Sequence, residues 1–356
     1  MKIQKINLQN PTFGSNRKKF DVQGHIGTMY DGQYNQNRTY NAQNIIDTVE
    51  SNNVKKVLVS SLSGLNSPNS DIFVSETGCA NEILDIKGND NVKLYPLLSC
   101  QPGITQDTTV AENLLKSGKF YGLKFHPTNT NQPIKDNFDI YSRYMDLAEK
   151  NEVPCVFHSV TDSKSDPSEI IRLAEKHPKL PVVLYHIDLA ANPEQMTKTI
   201  DNISDSVKSG KSNLFVDISW LTNLWDNAES NKNIIKQALE KIGADRILFG
   251  SDTPITEMGD KEKYGKFTDF IEATVKEFYK DAPEDGEKAL NKIFYDNAEE
   301  IFIDKKWAKN LQKNTSSKKG LLITAGVVGI GILAATINYF MNNNKKEDNS
   351  PSRVIK

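Results

Sequence analysis

Cysteine is scarce in this chain. Cys79, Cys100 and Cys155 are the only three in 356 residues. None has the spacing of a metal-ligand motif. An odd, scattered set excludes a disulfide framework and points to buried thiols in a reducing compartment. A surplus of basic charge is also missing: 44 basic residues against 46 acidic ones give a net charge of −2. That balance argues against a nucleic-acid partner. The opening stretch MKIQKINLQNPTFGSNRKKF has no apolar core, so no secretory signal is expected. There is no G-x-S-x-G and no G-x-x-x-x-G-K-[ST]. Neither a serine-hydrolase elbow nor a phosphate-cradling loop is therefore expected. No internal repeat is visible. Histidine is rare too, with five in all, and where those five fall matters most.

One long apolar run stands out. GLLITAGVVGIGILAATINYFM, residues 320–341, carries no charge and one amide, Asn338. At 1.5 Å per residue it is long enough for a hydrocarbon core of ~30 Å. It shows no polar face, as a helix on a soluble core would. The run predicts a C-terminal transmembrane helix. Lys305, Lys306, Lys309, Lys313, Lys318 and Lys319 precede it. Lys345, Lys346, Arg353 and Lys356 follow, diluted by Glu347 and Asp348. That bias predicts a single-pass membrane anchor with the large domain on the cytoplasmic side. Ala325 with Gly329, and Gly331 with Ala335, would let two such helices pack, which leaves a homo-oligomer open.

The rest alternates short apolar runs with amphipathic stretches. Strands are predicted at 20–26, 56–60, 93–98, 122–126, 154–158, 182–186, 214–218 and 246–250. Rich in Val, Ile, Leu and Phe with little polar alternation, these read as strands buried on both faces. In DIYSRYMDLAEKN, Ile140, Tyr144, Leu147 and Ala148 recur at helical spacing. Asp166 and Pro167 open a helix as N-cap and first residue, and Gly243 is placed to stop one. Eight strands with helices between them predict a (β/α)8 TIM barrel, whose catalytic end lies where strands run into the following loops. The expected organisation is an N-terminal extension at 1–19, the barrel at 20–312, a linker at 313–319, the transmembrane helix at 320–341 and a polar tail at 342–356.

Gln23, His25, His126, His158, His186 and Asp252 all sit at or just past a predicted strand end. Four of the five histidines share that topological position, which predicts a functional cluster at one mouth of the barrel. Gln23 and His25 are two apart, hence on one face of a strand, and so are Lys124 and His126. A hydrolytic divalent metal needs neutral imidazole and carboxylate ligands with a position open for water. Its bound water can then fall to a pKa of roughly 7. His25, His158 and Asp252 are the candidate metal ligands, and Asp252 could also take the water's proton. His177 lies at a helix end on the opposite side and reads as structural. Asp188 and Asp217 could each orient a histidine or be ordinary acids, and the same ambiguity holds for Ser251. Trp220 and Trp225 could wall a substrate pocket or simply pack a loop.

DVQGHIG, GLKFHP, VPCVFHS, HPKLPVVLYHIDLA, RILFGSDTP and NAEEIF, in that order, resemble the signature blocks of the amidohydrolase superfamily. The resemblance is to its amidohydrolase-related branch, which includes aminocarboxymuconate-semialdehyde decarboxylase-like proteins. It implies a barrel with one divalent metal, commonly Zn2+, and hydrolysis or decarboxylation of small organic acids, lactones or amides. It further implies metal contacts at Gln23, His25, His158 and Asp252 and catalytic roles for Asp252 and His186. Beside it, Lys124 could meet a substrate carboxylate or pair with a barrel acid, His126 could contact substrate or hydrogen-bond within the barrel, and Trp220 is the candidate aromatic substrate contact. The pattern has histidine where this chain has Gln23, and an amide oxygen is a poorer zinc ligand than imidazole. Some members of the branch work without a metal. The expected function is a metal-dependent hydrolase attacking a carbonyl-type bond of a small-molecule substrate. A decarboxylase on the same site and a catalytically impaired, membrane-tethered binding or scaffold protein remain the alternatives.

Overall fold

The computed structural model describes residues 16–31, 35–189, 192–219, 228–255 and 259–308. The elements run β1 (Lys19–Asp31), β2 (Gln36–Tyr40), α1 (Ala42–Val49), β3 (Val54–Ser61), α2 (Glu76–Ile83), β4 (Lys93–Pro96), β5 (Leu98–Cys100), α3 (Thr109–Lys116), β6 (Leu123–Phe125), α4 (Pro127–Thr130), α5 (Phe138–Lys150), β7 (Cys155–Val160), α6 (Pro167–Lys176), β8 (Pro181–Leu189), α7 (Pro193–Lys208), β9 (Asn213–Asp217), α8 (Ala228–Lys241), β10 (Ile247–Leu248), α9 (Lys261–Phe278) and α10 (Pro283–Asn291).

Two parallel ladders make the wall: β1–β3–β4, and β5 through β10 in chain order. They join at both ends. Leu97 lies between β4 and β5; its N–H donates to Val59 O, and the next N–H, of Leu98, donates to Gly122 O, so β4 and β5 act as one interrupted barrel strand. At the other seam Val22 N–H donates to Phe249 O and His25 N–H to Thr253 O, closing β1 onto the segment after β10. The eight predicted strands are the eight staves of this TIM-barrel-like fold. β2 is an addition that the sequence pattern did not reveal: it pairs antiparallel with the outer half of β1 and extends it past the rim.

The local signals act as their chemistry requires. Asp166 caps α6 by accepting from Ser168 N, and Pro167 is its first residue. Gly243 follows α8 at φ 91°, a conformation that costs glycine little. In α5, Ile140, Tyr144, Leu147 and Ala148 are all buried. Alternation then sorts the strand residues. Phe20, Val22, Leu58, Val156, Val183, Phe215 and Leu248 pack together inside the barrel. Cys155, Phe157, Val182, Leu184, Leu214 and Val216 face the helices. The interior core therefore fills the lower barrel and stops below the strand ends, where polar side chains begin.

One expectation is corrected here. Among the described residues no helix is long and apolar enough to cross a membrane. The longest, α9, breaks its apolar stripe with Lys263, Asp269 and Lys276, the pattern of a helix packed on a barrel with its other face in water. Among the described residues the fold is thus TIM-barrel-like α/β with no membrane-crossing helix, which corrects the expected barrel-plus-transmembrane-helix fold and the membrane location drawn from it. The run at 320–341, with its linker and tail, lies outside the described residues.

Candidate active site

The predicted cluster converges. Gln23, His25, Lys124, His126, His158, His186 and Asp252 line one cavity of about 340 Å3 at the C-terminal ends of the strands. Met29, Leu62, Leu65, Val160 and Ile255 form its apolar side, and Tyr30 and Asn66 border it from the β1 extension and the loop after β3. Such a mix of apolar wall and few convergent polar groups suits a small organic molecule. Trp220 and Trp225, read as either pocket wall or loop packing, lie outside the described residues.

Each side chain arrives by a different local device. Lys124, His126 and His158 follow simple alternation from interior positions of β6 and β7. Gln23 and His25 do not. Val22 points inward, so strict alternation would turn Gln23 outward. A register irregularity in β1 between Asp21 and Gly24 reverses the phase and brings Gln23 and His25 inside. Tyr185 is an interior residue, so His186 should face the helices. Its φ of 65° instead turns it to the cavity. Asp252 also has a positive φ, 66°. Left-handed backbone at non-glycine residues is strained and gathers at functional sites.

Asp21 anchors the irregularity from outside. It is buried and accepts from Gln23 N, Ser251 N, Ser251 Oγ and Tyr264 OH at 2.5–3.0 Å. Burial raises its pKa to about 6, against the pull of those donors. Ser251 therefore serves Asp21, not the cavity. Asp188 likewise ties the wall together by accepting from Thr161 N, Thr161 Oγ1 and Thr199 Oγ1. His177 is structural as expected: its Nε2 meets Ser142 Oγ at 2.9 Å, away from the cavity.

At the cavity floor the contacts form one network. Asp252 Oδ1 accepts from Gln23 Nε2 at 2.7 Å and lies 2.8 Å from His25 Nε2. A carboxylate oxygen accepts, so His25 donates from Nε2 to Asp252, and Ser60 Oγ, 2.9 Å from Nδ1, donates to the ring's other nitrogen. Gln23 Oε1 accepts from Ser219 Oγ at 2.7 Å. Ser219 Oγ also lies 2.7 Å from His186 Nδ1 and 2.7 Å from Asp217 Oδ1. Asp217 Oδ1 further accepts the backbone N–H of His186 at 2.6 Å, which fixes the turned residue. Asp217 Oδ2 has no hydrogen-bond partner among the described residues. A Cβ at Gly250 would stand 2.3 Å from that oxygen, so glycine is required there. Burial raises Asp217 to about 7, opposed by its bonds from His186 and Ser219.

The upper cavity is set by His126, His158 and Lys124. The first two rings stack at 3.8 Å with 13° between planes, and His158 meets His186 edge-on at 5.1 Å. Burial holds both stacked imidazoles well below the usual histidine pKa, so they are neutral. His126 Nδ1 accepts Asn129 N–H at 3.2 Å, which leaves its proton on Nε2. Lys124 is buried, with Nζ 4.0 Å from the centroid of the Tyr185 ring. Its Nζ makes no hydrogen bond with any described residue. Burial lowers its pKa to about 7, with Asp252 and Asp217 acting in opposition.

The residues do not fit a resident divalent ion held as the sequence implied. Among the described residues, no three His, Cys, Asp or Glu side chains are placed to hold a metal. The reason is visible at Asp252. Gln23 turns its amide nitrogen, a donor, toward the shared oxygen, and His25 closes on the same oxygen directly. His158 packs against His126 instead of joining them.

Ser219, Ser60 and Asp21 escaped the sequence analysis. Ser219 carried one usable signal: it continues the interior face of β9 two residues past Asp217.

A family model described as amidohydrolase matches residues 105–302. No curated protein matches the sequence. Among solved structures, a putative 2-pyrone-4,6-dicarboxylic acid hydrolase from Pseudomonas putida superposes with a TM-score of 0.55 at 14% identity, covering 80% of this chain and 97% of that one. A dihydroxybenzoic acid decarboxylase from Polaromonas sp. JS666, with bound manganese and 2-nitroresorcinol, gives the same values. A probable 2-pyrone-4,6-dicarboxylic acid hydrolase from Acinetobacter baumannii, with citric acid bound, gives 0.52 at 16% identity, with 81% and 99% coverage. At such identities these likenesses establish the shared barrel. With more than half of the sequence matched by the family model and the signature residues gathered in one cavity, the chain belongs to the amidohydrolase family of enzymes.

Proposed function

We propose that this enzyme hydrolyses a carbonyl-type bond in a small, negatively charged molecule. Asp252 takes the proton of the attacking water, and Lys124 receives the substrate's negative charge. The observation that carries the reading is the pairing of these two groups in one cavity. A carboxylate steadied by two donors stands across from a buried ammonium group that no described residue hydrogen-bonds.

The chemistry follows from the donors and acceptors. Gln23 and His25 both donate to Asp252 Oδ1, which orients the carboxylate. Water held against Asp252 loses a proton to it as the oxygen attacks the carbonyl carbon. The developing oxyanion needs donors. His126 supplies Nε2–H from the cavity wall, and Lys124 in its ammonium form supplies three more hydrogens. The apolar side of Met29, Leu62 and Ile255 excludes competing water and strengthens these contacts. Collapse of the tetrahedral adduct expels the leaving oxygen or nitrogen, which takes back the proton from Asp252.

The test is a panel of carboxylated lactones and esters, followed by acid release, before and after exhaustive chelation. Hydrolysis that survives chelation and disappears in Asp252→Asn is the expected result. Release of carbon dioxide without net hydrolysis would turn the assignment to a decarboxylase. Activity that returns only with one bound divalent ion per chain would restore the metal-dependent hydrolase.

A further inference from the structure

Ser219 sits between Gln23, His186 and Asp217 at the cavity floor. Its Oγ has three polar neighbours, each at 2.7 Å: Asp217 Oδ1, Gln23 Oε1 and His186 Nδ1. A serine hydroxyl has a single proton to give and two lone pairs to receive. The carboxylate and amide oxygens already compete for that proton. A bare Nδ1 would be a third claimant, so His186 must itself donate through Nδ1. The other edge of the ring agrees. Gln23 Nε2 carries two hydrogens: one reaches Asp252 Oδ1 at 2.7 Å, and His186 Nε2 lies 3.4 Å from the same nitrogen. That contact is attractive only if Nε2 has a lone pair.

We propose that Ser219 is a positioning residue that holds His186 with its proton on Nδ1 and the Gln23 amide with its nitrogen toward Asp252. Both hydrogens of the Gln23 amide are then engaged, one by Asp252 Oδ1 and one by His186 Nε2. His186 in this tautomer has no Nε2 proton to give to the oxyanion. The role rests on the reading of this cavity as the catalytic site. The wiring itself rests on hydrogen-bond arithmetic and holds whatever the substrate.

The test uses the full chain labelled with 15N and reads ring protonation by two-bond proton–nitrogen correlation. Loss of one signal set in His186→Asn assigns the residue. The wild type is expected to show His186 as a single species protonated at Nδ1. Ser219→Ala should give a mixture of tautomers, and Ser219→Thr, which keeps the hydroxyl, should restore the single species. His186 protonated at Nε2 in the wild type would overturn the proposal. So would a folded Ser219→Ala with the wild-type spectrum. If Ser219→Ala does not fold, the wild-type spectrum decides alone. Failure of the catalytic reading would show differently, as absent turnover with the Nδ1 tautomer intact.

Discussion

Gln23 Nε2 stands 2.7 Å from Asp252 Oδ1, although 229 positions separate the two residues in the chain. The contact joins the first stave of the barrel to the loop after the last. It also explains why a cavity lined by four histidines and two aspartates offers no three-ligand set among the described residues. An amide hydrogen holds the carboxylate oxygen that a cation would need.

Gln23→His should therefore create metal affinity. Imidazole in place of the amide removes the donor and supplies a lone pair. Calorimetric titration with Mn2+ or Zn2+ should show binding at least roughly tenfold tighter than in the wild type. Equal affinity in both proteins would mean that Gln23 does not control the site.

Asp252→Asn keeps the shape and removes the base. Turnover should fall by about 10²–10⁴-fold, with circular dichroism and Tm close to wild type. Retained turnover would move the base to His186.

Lys124→Met should separate function from stability. Burying an ammonium group without a hydrogen-bonded counterion opposes folding, so replacement by a chain of similar length should raise Tm by a few degrees at pH 6 while substrate affinity collapses. The sign with pH follows from the lowered pKa of about 7. Below that value Lys124 is charged both folded and unfolded, and the burial cost is present in full. As pH rises from about 7 towards the ordinary 10.5, the folded state sheds the proton first, so this residue's contribution to stability improves. Substrate binding runs the other way. KM should rise above pH 7 in the wild type, and this dependence should be absent in Lys124→Met.

Tyr264→Phe tests the outer brace. It deletes the hydroxyl that meets Asp21 Oδ2 at 2.8 Å and leaves a buried carboxyl with one donor fewer. Chemical denaturation should show a loss of about 1–3 kcal/mol. Because Asp21 pins the irregular part of β1, turnover should fall as well. An unchanged midpoint would show that Ser251 and the Gln23 N–H suffice.

By itself the sequence determined the stave count, the helix caps at Asp166 and Pro167, and the family resemblance. These depend on local composition and order: runs of Val, Ile, Leu and Phe long enough for a strand, and residues whose side chains bond their own backbone. It also brought six of the seven named polar residues to strand ends, where one short count along each strand is enough. The apolar run at 320–341 was equally legible as composition; it lies outside the described residues, among which no helix is long and apolar enough to cross a membrane. What only tertiary structure decided was direction. Alternation fails at Gln23 and at His186, where an irregular ladder or a left-handed residue turns the side chain inward. Such backbone is stable only when distant groups such as Asp21 and Asp217 hold it. The same distance hid Ser219, whose importance lies in meeting Gln23, 196 positions away, at 2.7 Å. Hydrogen bonds are set by ångströms in space, and a one-dimensional pattern carries no such distances.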